Sequence, residues 1–336
     1  MTLSLSRRAL LSAAGSAITA AAATGVISAP FVLRHRAAWA AEPLRLSWNA
    51  SAICNVAIPV AIRDGIFEKH GITIDLNNYS GSTDQLLEAL ATGKSDAAVG
   101  MALRWLKPLE QGFDVKITSG IHGGCMRLLA GPASGIRTFE DLRGKTIGVS
   151  DMASPSKNFF SIVLHKRGID PLRDVEWRQF PADLLVTAID KKEAHALAEG
   201  DPLSYGFIKN HGLVEVGNNL SAEYHDRTCC VIGVRGSLLR ERPAAAAAVN
   251  RALIEAQHIA AHNPRSAAEA FAPYVPKYPV EDLAAMLSSH AHHLTPTGNE
   301  LRHQLALYGE ELKLISVFKP KTDIQAYVKS ITADVV

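Results

Sequence analysis

The feature that most constrains the fold of this 336-residue chain is the alternation of short apolar strands with amphipathic helices. Leu44–Trp48 alternates apolar and polar side chains, as a half-buried strand does. Ala97–Gly100 is a short apolar run of the kind buried in parallel sheets. Between them, residues 55–62 and 82–90 carry apolar side chains at helical spacing, each followed by a glycine that favours a helix end. This order predicts an α/β fold.

The same pattern returns in the middle of the chain. Lys145–Val149 predicts a strand, and residues 136–142 predict a short helix. Ser154 followed by Pro155 predicts another helix start, because serine caps free backbone N–H groups and proline has no N–H to leave unpaired. Cys229–Val234 predicts a later strand. With 47% hydrophobic residues, the chain is long enough for two packed domains.

Residues 1–40 predict an export signal. Arg7 and Arg8 precede leucines and resemble a twin-arginine motif, and the Ala38-Trp39-Ala40 sequence supplies small residues for a signal peptidase. The alternative is an uncleaved membrane anchor, because the apolar run is long enough to span a bilayer. We expect a twin-arginine signal peptide and a periplasmic protein that is exported folded.

This segment also accounts for the net positive charge. The chain has 35 basic and 33 acidic side chains, and residues 1–40 contain four arginines and no acid. The remainder therefore has 31 basic against 33 acidic side chains, a net charge of −2. A near-neutral surface without runs of lysine or arginine gives no electrostatic attraction for nucleic acid or anionic lipid.

Five segments follow one another in a recognisable order: Pro59–Phe67, Gly71–Ile74, Ala89–Ala98, Phe139–Val149 and Gly168–Val175. Each motif alone is common. In this order and spacing they resemble the type II periplasmic binding proteins of ABC importers, in the branch for nitrate, sulfonate, bicarbonate and thiamine-precursor ligands. The resemblance spans most of residues 44–320.

The resemblance implies two α/β lobes, each a mixed sheet flanked by helices, joined by two crossing strands that act as a hinge. Lobe 1 would comprise residues 41–127 and 235–336, and lobe 2 would comprise residues 128–234. The implied partners are a small-molecule ligand and the permease and ATPase of an inner-membrane ABC importer. The protein would be a monomer, would catalyse no reaction and would require no cofactor. Two alternatives remain: an enzyme of the pyrimidine synthase type, and a sensor module for a membrane kinase.

Candidate ligand contacts follow from a general rule for open α/β sheets, in which ligands bind where strands end and helices begin. Serine hydroxyls and free N–H groups there suit a small sulfonate-like or nitrate-like anion, with a heterocycle such as a pyrimidine precursor as the alternative ligand. The alternative is a purely structural role, in which Ser82 and Ser154 only cap helices and Asp201 only closes a tight turn. The candidates are Asn49, Ser51, Cys54, Asn55, Ser82, Thr83, Met101, His122, Cys125, Ser154, Ser156, Asp201 and Tyr205.

Four cysteines lie near these loops and the predicted crossings: Cys54, Cys125, Cys229 and Cys230. In an exported protein they indicate disulfides or buried free thiols. A third possibility is a soft-donor site for a thiophilic metal or metal complex. Its ligands would be Cys54, His122, Cys125 and Cys229. A separate histidine cluster, expected on a solvated or half-buried helix face, comprises His290, His292, His293 and His303.

Overall fold

The structure is a computed structural model that describes residues 42–79, 83–220, 222–290 and 295–336. The twin-arginine signal predicted for residues 1–40 lies outside the described residues, as do Ser82, His292 and His293. None of the helices in the described part of the chain has both the length and the apolar character that crossing a membrane requires.

The described residues form two five-stranded sheets with helices packed on them. In chain order the strands are β1 (Leu44–Trp48), β2 (Ile74–Asn78), β3 (Ala97–Met101), β4 (Val115–His122), β5 (Met126–Ala130), β6 (Thr146–Val149), β7 (Glu176–Gln179), β8 (Ala196–Gly200), β9 (Val214–Asn218) and β10 (Cys230–Arg235). The helices are α1 (Ala57–Arg63), α2 (Ile66–Lys69), α3 (Thr83–Ala91), α4 (Ala102–Leu109), α5 (Pro155–Lys166), α6 (Leu185–Asp190), α7 (Leu203–His211), α8 (Gly236–Glu241), α9 (Pro243–His262), α10 (Pro264–Phe271), α11 (Val280–Ser289), α12 (Gly298–Leu314) and α13 (Ile324–Ile331).

The two sheets have the same design. The first has the order β2-β1-β3-β10-β4, and the second has the order β7-β6-β8-β5-β9. In each sheet the first three strands are parallel and the fourth is antiparallel to both of its neighbours. We name the bodies built on these sheets the first lobe and the second lobe. The predicted α/β fold with two lobes of mixed sheet is confirmed.

The chain passes between the sheets twice, from β4 to β5 and from β9 to β10. These crossing segments are hydrogen-bonded to the strands beside them. Cys229 N donates to His122 O at 2.8 Å, and the side-chain Oδ1 of Asn219 accepts from Met126 N at 2.8 Å. The first crossing ends before Met126, where β5 begins. The second crossing ends before Cys230, because β10 pairs only with strands of the first sheet among the described residues. The predicted lobe boundaries at residues 127 and 234 stay a prediction.

The second sheet is covered on both faces. Successive side chains of a strand point to opposite faces, so neighbouring residues of one strand enter different parts of the core. In β5, Leu129 packs in a small apolar cluster with Leu185, Leu197 and Phe207, which α6 and α7 supply in part. Its neighbour Leu128 belongs instead to the large core that extends through the rest of the molecule. Consecutive residues therefore serve opposite faces, and β5 is buried along its whole length.

One predicted helix is shorter than expected. Residues 136–142 were expected to be helical, but only Glu140–Leu142 forms a 3₁₀ turn. The carboxylate Oδ2 of Asp141 accepts the backbone N–H groups of Arg137 and Thr138, both at 2.9 Å. A side chain that binds these groups holds the segment in a turn, because it competes with helical hydrogen bonds.

Candidate functional site

A cavity of about 280 Å³ lies between the lobes, at the carboxyl ends of β1, β3, β6 and β8. The side chains around it follow these strand ends because parallel strands present their carboxyl ends at one edge of a sheet. Eight of the thirteen predicted ligand contacts line it: Asn49, Ser51, Cys54, Met101, Cys125, Ser154, Ser156 and Asp201. Their role as ligand contacts stays a prediction.

The other predicted contacts lie elsewhere. Asn55 and His122 are buried and do not line the cavity. Tyr205 is half-buried and does not line the cavity. Its backbone N–H donates a hydrogen bond to Asp201 Oδ1 at 3.0 Å. Thr83 begins α3, but its side chain is outside the described part of the structure, as is all of Ser82. The strand-end rule thus identified loops that line the cavity, although not every side chain chosen within them does so.

Arg104 is the basic side chain that lines the cavity, and it reaches there from the first turn of α4. Trp105 packs this helix against β3, because its ring occupies the space above Gly100. A Cβ atom added to Gly100 would lie only 2.0 Å from the ring. The Arg104 guanidinium pairs with Asp84 of the first lobe and, at 2.9 Å, with Asp151 of the second. Burial lowers the pKa of Arg104, but these carboxylates outweigh it and raise the pKa above its ordinary value.

Asp201 forms the most buried ion pair of the site. Its carboxylate accepts hydrogen bonds from Arg127 Nε and Nη2 at 2.9–3.0 Å and from His290 Nε2 at 2.9 Å. The side chains of Asp201 and His290 are both fully buried. Burial would raise the pKa of Asp201, but His290 and Arg127 outweigh this effect and lower it. The Asp201 carboxylate thus already has partners within the protein, and one of them holds α11 against the second lobe.

The expectation for His290 was wrong. It was expected on a solvated or half-buried helix face, but it is buried at the end of α11 because Asp201 receives it. His303 does lie exposed, on α12. Asp201 also accepts the N–H of Tyr205 in the first turn of α7, which agrees with the interpretation of Asp201 as a turn-closing residue.

Glu199 lies just before this network, near the end of β8, and lines the cavity. Its Oε1 accepts the backbone N–H of Gly200 at 3.0 Å. Its Oε2 is shielded from water, and Ser150 approaches the carboxyl with both its hydroxyl and its backbone N–H. Burial raises the pKa of Glu199, nearby Ser150 and the Gly200 N–H oppose the rise, and the charge of Asp151 adds to it.

The four cysteines meet beneath the cavity as a ring of buried free thiols. Hydrogen bonds link Cys54 to Cys125 and Cys230, and link Cys229 to the same two residues. Those from Cys125 and Cys230 lower the pKa of Cys54 to about 5. Hydrogen bonds with neighbouring thiols and burial raise the pKa of Cys229 and Cys230 well above the usual value. Of the three predicted states, the structure shows buried free thiols.

The described residues give no support to the predicted metal site of Cys54, His122, Cys125 and Cys229. Among them, no group of three or more histidine, cysteine, aspartate or glutamate side chains is placed to hold a metal ion. The physical reason is that the thiols bond pairwise around their ring, while His122 directs Nδ1 to the carbonyl of Gly123 at 2.7 Å. The His122 ring also packs edge-on against His290, with 5.3 Å between centroids.

Comparison with known proteins adds a family to this geometry. The profile of the NMT1-like family matches residues 39–273, which is more than half of the chain. The chain belongs to the NMT1-like family. This NMT1-like chain is 27% identical over 237 residues to a protein of Brucella abortus (strain 2308) that is named as a binding protein. That alignment covers 69% of the chain and 72% of the Brucella protein.

Solved structures share the fold of this NMT1-like protein. The periplasmic aliphatic sulphonate binding protein SsuA from Escherichia coli matches with a TM-score of 0.73 at 16% identity, over 88% of this chain and 93% of that one. The periplasmic nitrate-binding protein NrtA from Synechocystis PCC 6803 matches with a TM-score of 0.71 at 14% identity, over 86% of both chains. The predicted resemblance to periplasmic binding proteins of ABC importers is confirmed at the level of family and fold.

Three charged residues of this NMT1-like site were absent from the predicted contacts: Arg104, Asp151 and Glu199. Asp151 lies in a loop that the strand-end rule selected, where only the serines were chosen. Arg104 is the third residue of helix α4, beyond the strand end itself, so a rule based on strand ends misses it. Glu199 had a usable signal, because an acidic residue interrupts the apolar run Ala196–Ala198 at a strand end.

Proposed function

We propose that this chain is the periplasmic solute-binding component of an ABC importer, which captures a small molecule by closing its two lobes. The observation that carries the proposal is the cavity of about 280 Å³, lined from both lobes at their strand ends. A cavity of this size accommodates a small metabolite and is too small for a peptide segment. The family match and the shared fold support the same function.

Contacts across the mouth of the cavity support closure of the two lobes as the binding motion. Arg104 of the first lobe pairs with Asp151 of the second at 2.9 Å, and Asn158 on α5 donates to the carbonyl of Leu103 at 3.2 Å. Both contacts must break when the lobes open. The hydrogen bonds of the crossing segments, such as Cys229 N to His122 O, lie at the base of the cavity and persist. This arrangement suits a hinge motion.

Two observations support an anion as the ligand. Helix α5 begins at the cavity with Ser154 as its cap, whose Oγ accepts from Lys157 N at 3.1 Å, and helix N-termini attract anions. The proteins of similar fold include a sulphonate binder and a nitrate binder. A heterocycle is the competing ligand, and it is favoured by the acidic side chains of Asp151 and Glu199 among the lining residues.

Export by the twin-arginine route and function as a monomer complete the proposal. In cells, replacing Arg7 and Arg8 with lysine is expected to leave the protein in the cytoplasm, as measured by fractionation. The matched control replaces Arg34 and Arg36 with lysine. Equal export of both variants contradicts the twin-arginine route and leaves the receptor function untouched.

Binding and closure are tested together on the purified protein. Isothermal titration with a panel of sulfonates, inorganic oxyanions and nitrogen heterocycles finds ligands, and small-angle scattering measures the radius of gyration with each. We expect a binding solute to reduce the radius of gyration and to raise the Tm. A panel and a metabolite extract that change neither quantity contradict the receptor function, and turnover of a bound heterocycle establishes an enzyme instead.

A further inference from the structure

Two thiols of the buried ring, those of Cys54 and Cys125, also line the cavity between the lobes. Each of these residues is only 3% exposed, so a protein that catalyses disulfide exchange cannot reach either sulfur in this conformation. A cavity of about 280 Å³ does admit a molecule little larger than water. A reagent for these thiols is therefore small and enters through the cavity.

Cys54 carries the sulfur best prepared to react. Its Sγ accepts a hydrogen bond from Asn55 Nδ2 at 3.7 Å and is hydrogen-bonded to the thiols of Cys125 and Cys230. The hydrogen bonds from these two thiols lower the pKa of Cys54 to about 5, against the effects of burial and of Cys229. At neutral pH Cys54 is therefore a thiolate, which is the form of cysteine that attacks oxidants.

Cys125 is the thiol placed to complete an oxidation that begins at Cys54. A disulfide requires the two sulfurs to move from hydrogen-bond distance to a bond of about 2.05 Å. Cys230 also bonds to Cys54, but it is held in β10, which pairs with a strand on each side. Cys125 lies between β4 and β5, in a crossing segment outside any strand, and is freer to make this movement.

We propose that Cys54 is a site of reversible oxidation by hydrogen peroxide and that Cys125 converts the product into a disulfide in the cavity wall. The Cys54 thiolate attacks one peroxide oxygen, the O–O bond breaks, and Cys54 becomes a sulfenic acid. The departing hydroxide takes up the proton that Cys54 had released. The sulfur of Cys125 then attacks the sulfur of Cys54, the S–O bond breaks, and the oxygen leaves as water with the proton of Cys125. Two thiols thus lose two electrons and two protons, and one peroxide is reduced to two molecules of water.

This disulfide acts where the two lobes are joined. Cys54 follows β1 of the first lobe, and the carbonyl of Cys125 accepts the N–H of Asp201 in the second lobe at 2.8 Å. Oxidation therefore changes both the cavity wall and the backbone that connects it to the second lobe, and reduction by a thiol reverses the change. The inference goes beyond the proposed receptor function and does not depend on it, because it requires only the thiols and the cavity.

Hydrogen peroxide itself is the probe, added in slight excess to the purified and fully reduced protein. Alkylation after denaturation counts the free thiols by intact mass, and peptide mapping locates the new bond. We expect loss of two of the four thiols and a linked pair of peptides that contain Cys54 and Cys125. Dimedone present from the start is expected to label Cys54, because it captures sulfenic acids. Dithiothreitol is expected to restore all the thiols.

Cys54→Ser tests the attacking thiol with a small change of volume, and Cys229→Ser is the matched control from the same ring. Cys229 is buried outside the cavity, and its hydrogen bond with Cys125 raises its pKa. Disulfide formation is expected to slow by about tenfold or more in Cys54→Ser and to change by less than about threefold in Cys229→Ser. Circular dichroism and Tm establish that each variant is folded.

A reference without any substitution is the unchanged protein in urea at pH 6, where ordinary thiols are almost wholly protonated. The native protein is expected to react faster than this reference. Three results overturn the inference: a linked pair other than Cys54 with Cys125, an undiminished rate in folded Cys54→Ser, or slower oxidation of the native protein than in urea. The last result means that burial protects the whole ring. The expected disulfide in a protein that binds no solute supports the inference and contradicts the receptor function.

Discussion

Ala102 in the first lobe and Asp201 in the second lobe occupy equivalent positions. The N–H of Ala102 donates to the carbonyl of Cys229 at 2.9 Å, and the N–H of Asp201 donates to the carbonyl of Cys125 at 2.8 Å. Each residue follows the third parallel strand of its sheet, and each acceptor precedes the antiparallel strand beside it. The backbone pattern is thus the same in both lobes, down to individual hydrogen bonds.

The side chains at these positions are opposite in character. In the second sheet Arg127 pairs in register with Glu199 and binds Asp201, whereas the equivalent of Arg127 in the first sheet is Val231, in register with Gly100. The first lobe therefore reaches the same architecture with apolar residues. Burying ions costs desolvation energy that an apolar pair avoids. The first lobe shows that this architecture can form without the ion pair. In the second lobe, the contact of Asp201 with His290 joins the ion pair to the end of α11.

Replacing Arg127 and Asp201 by the residues at the equivalent positions of the first lobe, valine and alanine, tests whether the fold needs the ion pair. This replacement has the largest expected effect. Asp201→Ala alone leaves Arg127 buried without its main partner and is expected to lower the free energy of unfolding by about 3–5 kcal/mol. Adding Arg127→Val, which completes the apolar pair of the first lobe, is expected to recover more than about 1 kcal/mol of that loss. Urea unfolding followed by circular dichroism measures both.

Arg127→Val alone is the control for this cycle, since it leaves Asp201 with His290 and is expected to be destabilising by itself. A double variant no more stable than Asp201→Ala contradicts the equivalence of the two positions. It would mean that the second lobe needs its charges to fold.

Gly100 and Glu199 are the next equivalent pair, and the expected effect is smaller. A Cβ on Gly100 would lie 2.0 Å from the Trp105 ring, so Gly100→Ala forces that ring and α4 to move. We expect a loss of about 1–3 kcal/mol in the free energy of unfolding. Glu199→Ala removes a buried carboxyl and is expected to cost less than about 1 kcal/mol or to stabilise the protein. Equal losses in urea unfolding would contradict this asymmetry.

The sequence predicted much of the fold because the responsible signals are local. Capping by Ser154, the apolar run of β3 and the alternation of β1 are each visible within a few residues. The alanine-rich run from Pro243 to His262 is a further local signal, and it forms helix α9. Strand ends then place the cavity, since parallel strands bring their carboxyl ends together.

The chemistry of the site was less predictable because its partners are distant in sequence. His290 meets Asp201 across 89 residues, and no periodicity indicates such a pair. Arg104 was missed because it lies within the first turn of α4 and its long side chain reaches back to the cavity at the strand end. Glu199 was passed over because an acidic residue at a strand end usually faces solvent, and only the structure shows Oε2 shielded from water.

Glu199 and Asp201 provide the smallest and most specific test, because their pKa values are shifted in opposite directions. Burial raises the pKa of Glu199, so the native state retains its proton to higher pH than the unfolded chain does. Its contribution to stability therefore falls as pH rises from about 4.3, the ordinary glutamate value, to the raised pKa. Asp201, whose pKa is lowered by His290 and Arg127 against the effect of burial, contributes stability that is present above about 3.9 and lost as pH falls through its native pKa.

Urea unfolding between pH 4 and 8 separates the two groups when Glu199→Gln is compared with the unchanged protein. The stability of Glu199→Gln relative to the unchanged protein is expected to increase as pH rises through this range. A stability difference between Glu199→Gln and the unchanged protein that does not vary with pH would mean that the Glu199 carboxyl is exposed to water. The buried charges that distinguish the second lobe from the first would then be confined to the pair of Arg127 and Asp201.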